Sequence, residues 1–307
     1  MQHITKKPTN LNAFKHSYKP FTKARHAWQN ILEAYKEKYP DYTVILPSYI
    51  GWSINEGSGI FDPVSNTDTP YKFYELSKTL RINVDDLKKV IVSSTNPIVI
   101  LVHYFGFPDE KYNEIVSWLD DNSVYYVEDS AHAMLSDLIG GICGGNGAYN
   151  IYSLHKMLPY KDGGFLIDNH KNSLDIKMDD TADLSLIFSY DLRKIYEIRR
   201  RNYQFLIDNI SDIKGITILY PNLAEGLCPQ TLPIILDNYN RDEVYHELNS
   251  QGFGLVSLYH TMIDPLKNSK YECATYTSFQ ITNLPVHQDC TIENLDKMII
   301  ALKNILK

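Results

Sequence analysis

The chain lacks most of the signatures by which a function is quickly read. Its four cysteines, Cys143, Cys228, Cys273 and Cys290, lie far apart and form no CxxC pair. That pattern suggests neither a disulfide framework nor a zinc site, and it fits a reducing compartment. No apolar run reaches the ~18–20 residues that cross a bilayer. The start, MQHITKKPTN, has no apolar core of a signal peptide. A cytoplasmic protein with no membrane partner is expected. Positive charge is also short, with 30 Lys+Arg against 37 Asp+Glu for a net charge of −7, which argues against a general nucleic-acid binder. Neither the P-loop GxxxxGK[ST] nor a GxGxxG run opening a helix occurs, and the segment GGICGGNG is read as turns.

What is present is an ordinary globular composition. The 307 residues are 44% hydrophobic and 22% charged, enough to bury one large core or a large and a small one. Tyrosine is abundant at 23, but scattered rather than spaced as a stacking platform.

Strand and helix patterns alternate over the first two thirds of the chain. Residues 1–20 read as an irregular arm, and Thr22 is placed to cap the helix KARHAWQNILEAYKEKY. Apolar runs at 43–46, 98–102, 124–127, 149–154 and 165–169 read as strands, and a further short strand is expected in 57–64. The helices VDDLKKVI and EKYNEIVSWLDD fall between them, and residues 170–190 are given no structure. The fold class is therefore α/β, with a mostly parallel sheet flanked by helices. The expected domains are residues 1–212, including a linking helix at 191–210, and a smaller α+β domain at 213–307. In the latter, ITILYP, LPIILD, GLVSLYH and ITNLPV are expected strands, and RDEVYHELNSQG and IENLDKMIIALKNIL helices.

Ligands of such sheets sit at the carboxyl ends of the strands, where His103, Asp129 and the pair His155–Lys156 fall. Lys156 follows an apolar strand, so desolvation would favour its neutral, nucleophilic amine. Asp129 ends a strand that burial would cover. It either caps the short helix that follows or pairs with a cation such as a protonated pyridine nitrogen. His132 could lie against a flat ring or simply pack. Lys23 and Arg25, at a helix start, mark either an anion site or a basic surface turn. His103, His132, His155 and Asp129 match no zinc spacing, and no metal is expected.

Taken in order, several segments are similar to the DegT/DnrJ/EryC1/StrS family of pyridoxal-phosphate-dependent sugar aminotransferases, of fold type I. VILPSYIGWS resembles the family's strand running into Pro-x-Tyr and an aromatic loop, and IVILVHYFGFPDE its Val-His-x-x-Gly segment. VEDSAHA resembles the strand ending in Glu-Asp, and YSLHKMLPYKDGG the strand carrying the cofactor-linking lysine and a Gly-Gly turn. RRRNYQFLIDNI, CPQTLPIIL and NLPVHQD echo later elements.

The resemblance implies pyridoxal 5'-phosphate as cofactor, linked through Lys156, which stands seven residues before Gly163 as the family's lysine does before its first turn glycine. It further implies Asp129 on the pyridine nitrogen, His132 against the ring, and Ser153 on the phosphate. Lys23, Ala24 and Arg25 would form the phosphate turn, and Trp52 and Ser53 would stand beside the ring. The implied partners are a sugar substrate, an amino-acid donor and a second copy in a homodimer.

The chain departs from the pattern in three places. Ser-Leu-His-Lys is contracted, Gly51 stands where the family has an aromatic, and no segment like Gly-Tyr-Asn-Tyr-Arg occurs between residues 164 and 199. Related sugar dehydratases carry histidine in place of the lysine. The Gly-Gly spacing favours Lys156, and so an aminotransferase over a dehydratase or a non-catalytic relative.

Overall fold

A computed structural model describes residues 18–307, apart from 172, 180, 183, 185, 186, 188, 268 and 269. The predicted runs at 43–46, 98–102, 124–127 and 149–154 become β2 (Thr43–Pro47), β4 (Pro97–Val102), β5 (Tyr125–Asp129) and β6 (Tyr149–Ser153). Their interior residues are buried on both faces, which is why they read as continuous apolar runs rather than alternating ones. With β1 (Tyr18–Phe21), β3 (Tyr71–Tyr74) and β7 (Gly164–Asp168) they form one seven-stranded sheet in the order β1-β7-β6-β5-β4-β2-β3. The pairs β2–β3, β2–β4, β4–β5 and β5–β6 are parallel, whereas β7 is antiparallel to both β6 and β1. Only β7 is therefore reversed.

This topology gathers the site. Gly164, at the start of β7, pairs with Ser153 at the end of β6 and with Phe21 at the end of β1. The carboxyl ends of β1, β4, β5 and β6 and the turn into β7 thus share one edge. Helices α1 (Ala24–Lys38), α2 (Phe61–Asn66), α3 (Val84–Val92), α4 (Tyr112–Asp121) and α5 (Met134–Leu138) connect or flank these strands. Helix α1 buries Ala27, Trp28, Ile31, Leu32 and Tyr35 on one stripe, as the periodicity predicts.

Beyond the long helix α6 (Leu192–Ile210) lies a second, antiparallel sheet in the order β10-β9-β8. It is built from β8 (Ile216–Ile218), β9 (Thr231–Leu236) and β10 (Ile281–Pro285), together with α7 (Arg241–Ser250), α8 (Glu272–Gln280) and α9 (Ile292–Ile305). Helix α9 packs on α6 and α7.

Four expectations are corrected. Part of the expected arm, residues 18–21, is the edge strand β1, where Pro20 costs little because an edge leaves amides unpaired; residues 1–17 lie outside the described residues. Thr22 does not cap α1: Lys23 holds the cap position without a side-chain bond, while Thr22 Oγ1 meets His26 Nδ1 at 2.9 Å. The strand expected in 57–64 is the start of α2, because Ser58 Oγ accepts the Phe61 amide (3.2 Å) and Asp62 Oδ2 accepts that of Ser58 (2.9 Å). The strand expected at 254–260 is reduced to a single bridge, Val256 with Asn283. Past that bridge Leu258 N turns instead to the Asn283 side chain, at 2.9 Å.

Candidate active site

Strand alternation decides the fates of the two acids that end β5. Glu128, fully buried, turns away from the shared edge into the glycine run. It accepts hydrogen bonds from His103 Nε2 (2.8 Å), the Tyr112 hydroxyl (2.7 Å) and the amides of Gly144, Asn146 and Gly147 (2.8–2.9 Å). The glycine run is a set of turns that wraps a carboxylate. Asp129 points the other way, into a cavity of about 500 Å³.

That cavity brings the candidate residues together. Lys23, Ala24, Arg25, Trp52, Ser53, Asp129, His132, Ser153 and Lys156 all line it. Lys156 is presented by a tight turn after β6. Leu154 N donates to Gly163 O (3.0 Å), and Met157 N and Leu158 N donate to Leu154 O. Leu154, Met157 and Leu158 are anchored in the core, so the lysine between them is directed outward. Desolvation lowers its pKa, and the charges of Glu56 and Asp129 act against that shift. Its Nζ lies 4.0 Å from Glu56 Oε2.

Asp129 Oδ1 accepts the Ala131 amide at 2.8 Å. It does not cap α5, whose cap position is held by Ala133 with no side-chain bond. Burial raises the Asp129 pKa, with that amide and the His103 and Lys156 charges opposing. A carboxylate shifted this way gains from a cationic partner. His132 is buried and takes the Phe105 amide on Nδ1 at 3.3 Å, so its proton sits on Nε2. Desolvation, then Lys156 and His155, lower its pKa to about 3, which keeps the imidazole neutral. Its ring stacks on Phe105, with centroids 5.9 Å apart.

The start of α1 lies directly over the Gly-Gly turn. A Cβ on Gly164 would come within 2.5 Å of Ala24 N, so only glycine lets strand and helix approach this closely. The two basic side chains in this turn already hold acids, Lys23 with Asp162 (3.3 Å) and Arg25 with Asp62 (3.0 Å). Ser153 Oγ meets His155 Nδ1 at 3.2 Å. Among the described residues no group of three or more His, Cys, Asp or Glu could hold a metal ion, and no helix is long and apolar enough to cross a membrane.

Sequence reasoning missed Glu56 and Tyr259, which also line the cavity. Glu56 could have been found, because SINEGSG is a polar, glycine-bearing loop that follows the carboxyl end of β2, where such sheets bind ligands. Nothing singles out Tyr259 in a chain so rich in tyrosine.

A sheet with one reversed strand, a lysine turn beside that strand and a carboxylate one strand over has the architecture of the fold type I pyridoxal-phosphate-dependent enzymes. Residues 64–179 match the DegT/DnrJ/EryC1/StrS aminotransferase family. The structure of Helicobacter pylori PseC, an aminotransferase involved in the biosynthesis of pseudoaminic acid, matches with a TM-score of 0.79 at 15% identity, covering 94% of this chain and 86% of that one. The E. coli GDP-4-keto-6-deoxy-D-mannose-3-dehydratase with bound hydrated PLP gives 0.75 at 16% identity, over 94% and 88%. In sequence the chain is 25% identical to the dTDP-4-dehydro-2,3,6-trideoxy-D-glucose 4-aminotransferase of Saccharopolyspora spinosa, over 71% of this chain and 62% of that one. It spans 38% and 62% of the lengths of the curated relatives it matches.

Proposed function

We propose that this chain is a pyridoxal-phosphate-dependent aminotransferase that moves an amino group, from glutamate, to a nucleotide-linked keto sugar in surface-polysaccharide or natural-product sugar biosynthesis. It would work in the cytoplasm as a homodimer. The division into a cofactor domain, residues 1–212, and a small domain, residues 213–307, belongs to the same proposal. The observation that carries it is that Lys156, Asp129 and the amino end of α1 open onto one cavity. Those are the groups that an aldehyde, a ring nitrogen and a phosphate on one small molecule require.

The residues fit that cofactor. Asp129 Oδ1 is engaged by the Ala131 amide, and Oδ2 has no hydrogen bond among the described residues. It is placed to hold a ring N–H. The amides of the first turn of α1, at Ala24 and Arg25, suit a phosphate with their partial positive charge. Ser153 Oγ stands on the same wall. When bound, pyridoxal phosphate supplies a carbonyl carbon for amine exchange and a ring that accepts electrons. Lys156 would supply the amine that holds the cofactor and would then, at Nζ, move the substrate's proton. Neutral His132 would pack against the ring without competing for the Asp129 charge.

His155 supports a second reading, a sugar dehydratase. It lines the same cavity beside Lys156, and its Nε2 is buried without a hydrogen-bond partner among the described residues. One titration separates the two. Purified protein with added pyridoxal phosphate should become yellow, lose that absorbance on borohydride reduction, and fail to develop it in Lys156→Ala. Glutamate should then convert the bound cofactor to its amine form. With a keto sugar then added, a product carrying a new amino group supports the aminotransferase, a product that has lost a hydroxyl without gaining nitrogen favours the dehydratase, and a chain that binds no cofactor sinks both.

A further inference from the structure

One wall of the cavity is supplied by residues 257–261, which lie between α7 and α8 and far from the sheet in sequence. This wall is tied to the loop that follows β2. Trp52 N donates to Thr261 O (3.0 Å), Ile263 N donates to Ile50 O (3.1 Å), and Gly51 forms a bridge with Met262. Within it, Tyr259 N donates to the Tyr49 hydroxyl at 2.6 Å, and Tyr259 O accepts from Ser278 Oγ at 2.7 Å. These bonds hold the residue through its backbone and leave the ring to be placed by packing.

That ring occupies space belonging to another position. A Cβ built on Gly51 would lie 2.0 Å from Tyr259 Cδ1, 2.3 Å from Cγ and 2.6 Å from Cε1. Gly51 has no positive φ to account for it, so the absence of a side chain is explained by the ring that fills its volume. The Tyr259 ring centroid lies 6.4 Å from that of His132, with the planes 33° apart. The aromatic that sequence position suggested, Trp52, is instead 41% exposed at the cavity rim, with the Lys267 ammonium 5.8 Å from its ring centroid.

We propose that Tyr259 is the aromatic residue that covers the cofactor's ring in this cavity, and that Gly51 is small in order to admit it. The proposal rests on the cofactor reading above. A flat heteroaromatic ring gains an offset-stacked partner and an apolar wall from the phenyl face. The phenol oxygen is not needed for either.

The test is equilibrium binding of pyridoxal phosphate to apo protein, followed by absorbance and by fluorescence quenching, with circular dichroism and thermal melting of each apo form. Tyr259→Phe should bind within about twofold of the wild type, whereas Tyr259→Leu, which keeps apolar bulk without a flat ring, should bind about tenfold more weakly while melting as the wild type does. The exchange Gly51→Tyr with Tyr259→Gly, which delivers a ring to the same volume from the other segment, should recover most of the lost affinity. Wild-type affinity in Tyr259→Leu, or equal losses in Tyr259→Phe and Tyr259→Leu, would overturn the proposal alone. A wild-type chain that binds no pyridoxal phosphate would overturn it together with the cofactor reading.

Discussion

Arg199 Nη2 donates to the carbonyl of Met157, the residue after Lys156, at 3.1 Å. The same guanidinium donates to the carbonyls of Gln230 (3.0 Å) and Pro229 (3.4 Å) and to Gln288 Oε1 (3.2 Å). Gln288 Nε2 returns to Met157 O at 3.3 Å. Helix α6, the entry to β9 and the segment after β10 therefore converge on the turn that presents the lysine. Arg199 is buried, and among the described residues it forms no ion pair with a carboxylate. Its direct hydrogen-bond partners are carbonyl oxygens, three from the backbone and one from the Gln288 amide. Arg199→Met should cost about 3 kcal/mol in denaturant unfolding, because several buried acceptors lose their donor at once. Arg199→Lys should recover less than half of that, since one ammonium cannot reach acceptors spread around a planar fork. A cost below about 0.5 kcal/mol for the methionine variant would mean the network does not hold the turn.

Glu128 carries the clearest pH signature. Burial alone would raise its pKa, but the His103 hydrogen bond and charge, the Gly147 amide and the Tyr112 hydroxyl outweigh it and lower the value from 4.5 to about 2. The folded state therefore holds fewer protons at this site than the unfolded chain. Its contribution is fully present above the unfolded value and is lost as pH falls toward about 2, on the order of 3 kcal/mol in all. Asp137 acts in the opposite sense, because burial raises its carboxyl to about 6; that contribution fades as pH rises through the same value. Glu128→Gln isolates the first effect. Its stability should be about 2 kcal/mol lower at neutral pH, since the amide nitrogen faces donors, and should lack the wild-type decline in acid. Parallel stability-versus-pH curves for the two proteins would refute this.

Much of the large sheet is legible in the sequence, for a physical reason. Strands such as Pro97–Val102 and Tyr149–Ser153 are buried on both faces, and burial selects long apolar runs. The polar residues that close such runs then mark the strand ends, which is where Asp129 and the Lys156 turn fall. What is not legible is held by side chains rather than by pattern. Phe61 and Val64 look β-like until Ser58 and Asp62 are seen exchanging bonds with local amides. Helix α8 buries only Ala274, Thr277 and Ser278, small side chains that leave little apolar periodicity. Tyr259 reaches the cavity through contacts with Tyr49 and Gly51, more than 200 positions away in sequence.

Glu56 should tune the lysine. Its carboxylate lies 4.0 Å from Lys156 Nζ and is the largest influence opposing the desolvation that lowers the amine's pKa. Removing the charge in Glu56→Gln leaves desolvation less opposed, so the amine should lose its proton at a lower pH. Borohydride-trappable attachment of pyridoxal phosphate, measured across pH, should therefore reach half-maximum at lower pH in the variant. An unchanged or upward-shifted profile would show that Glu56 does not act on the amine.

Gly164 offers a test of how the phosphate end of the cavity is built. A Cβ there would meet Ala24 N at 2.5 Å, Ala24 Cα at 2.6 Å and Tyr152 O at 2.8 Å. All three are backbone atoms, so none can turn aside as a side-chain tip could. Either β7 leaves its pairing with β6 and β1, or the first turn of α1 lifts off the sheet. Gly164→Ala should thus lose about 1–3 kcal/mol of stability, and its affinity for pyridoxal phosphate should fall with the displaced amides of Ala24 and Arg25. Gly145→Ala is the matched control. That glycine also lies in a turn, but its Cβ would meet nothing within 4 Å and its φ is not positive. It should melt and bind as the wild type does. If both variants behave alike, the close approach of α1 to the Gly-Gly turn is not what shapes this end of the site.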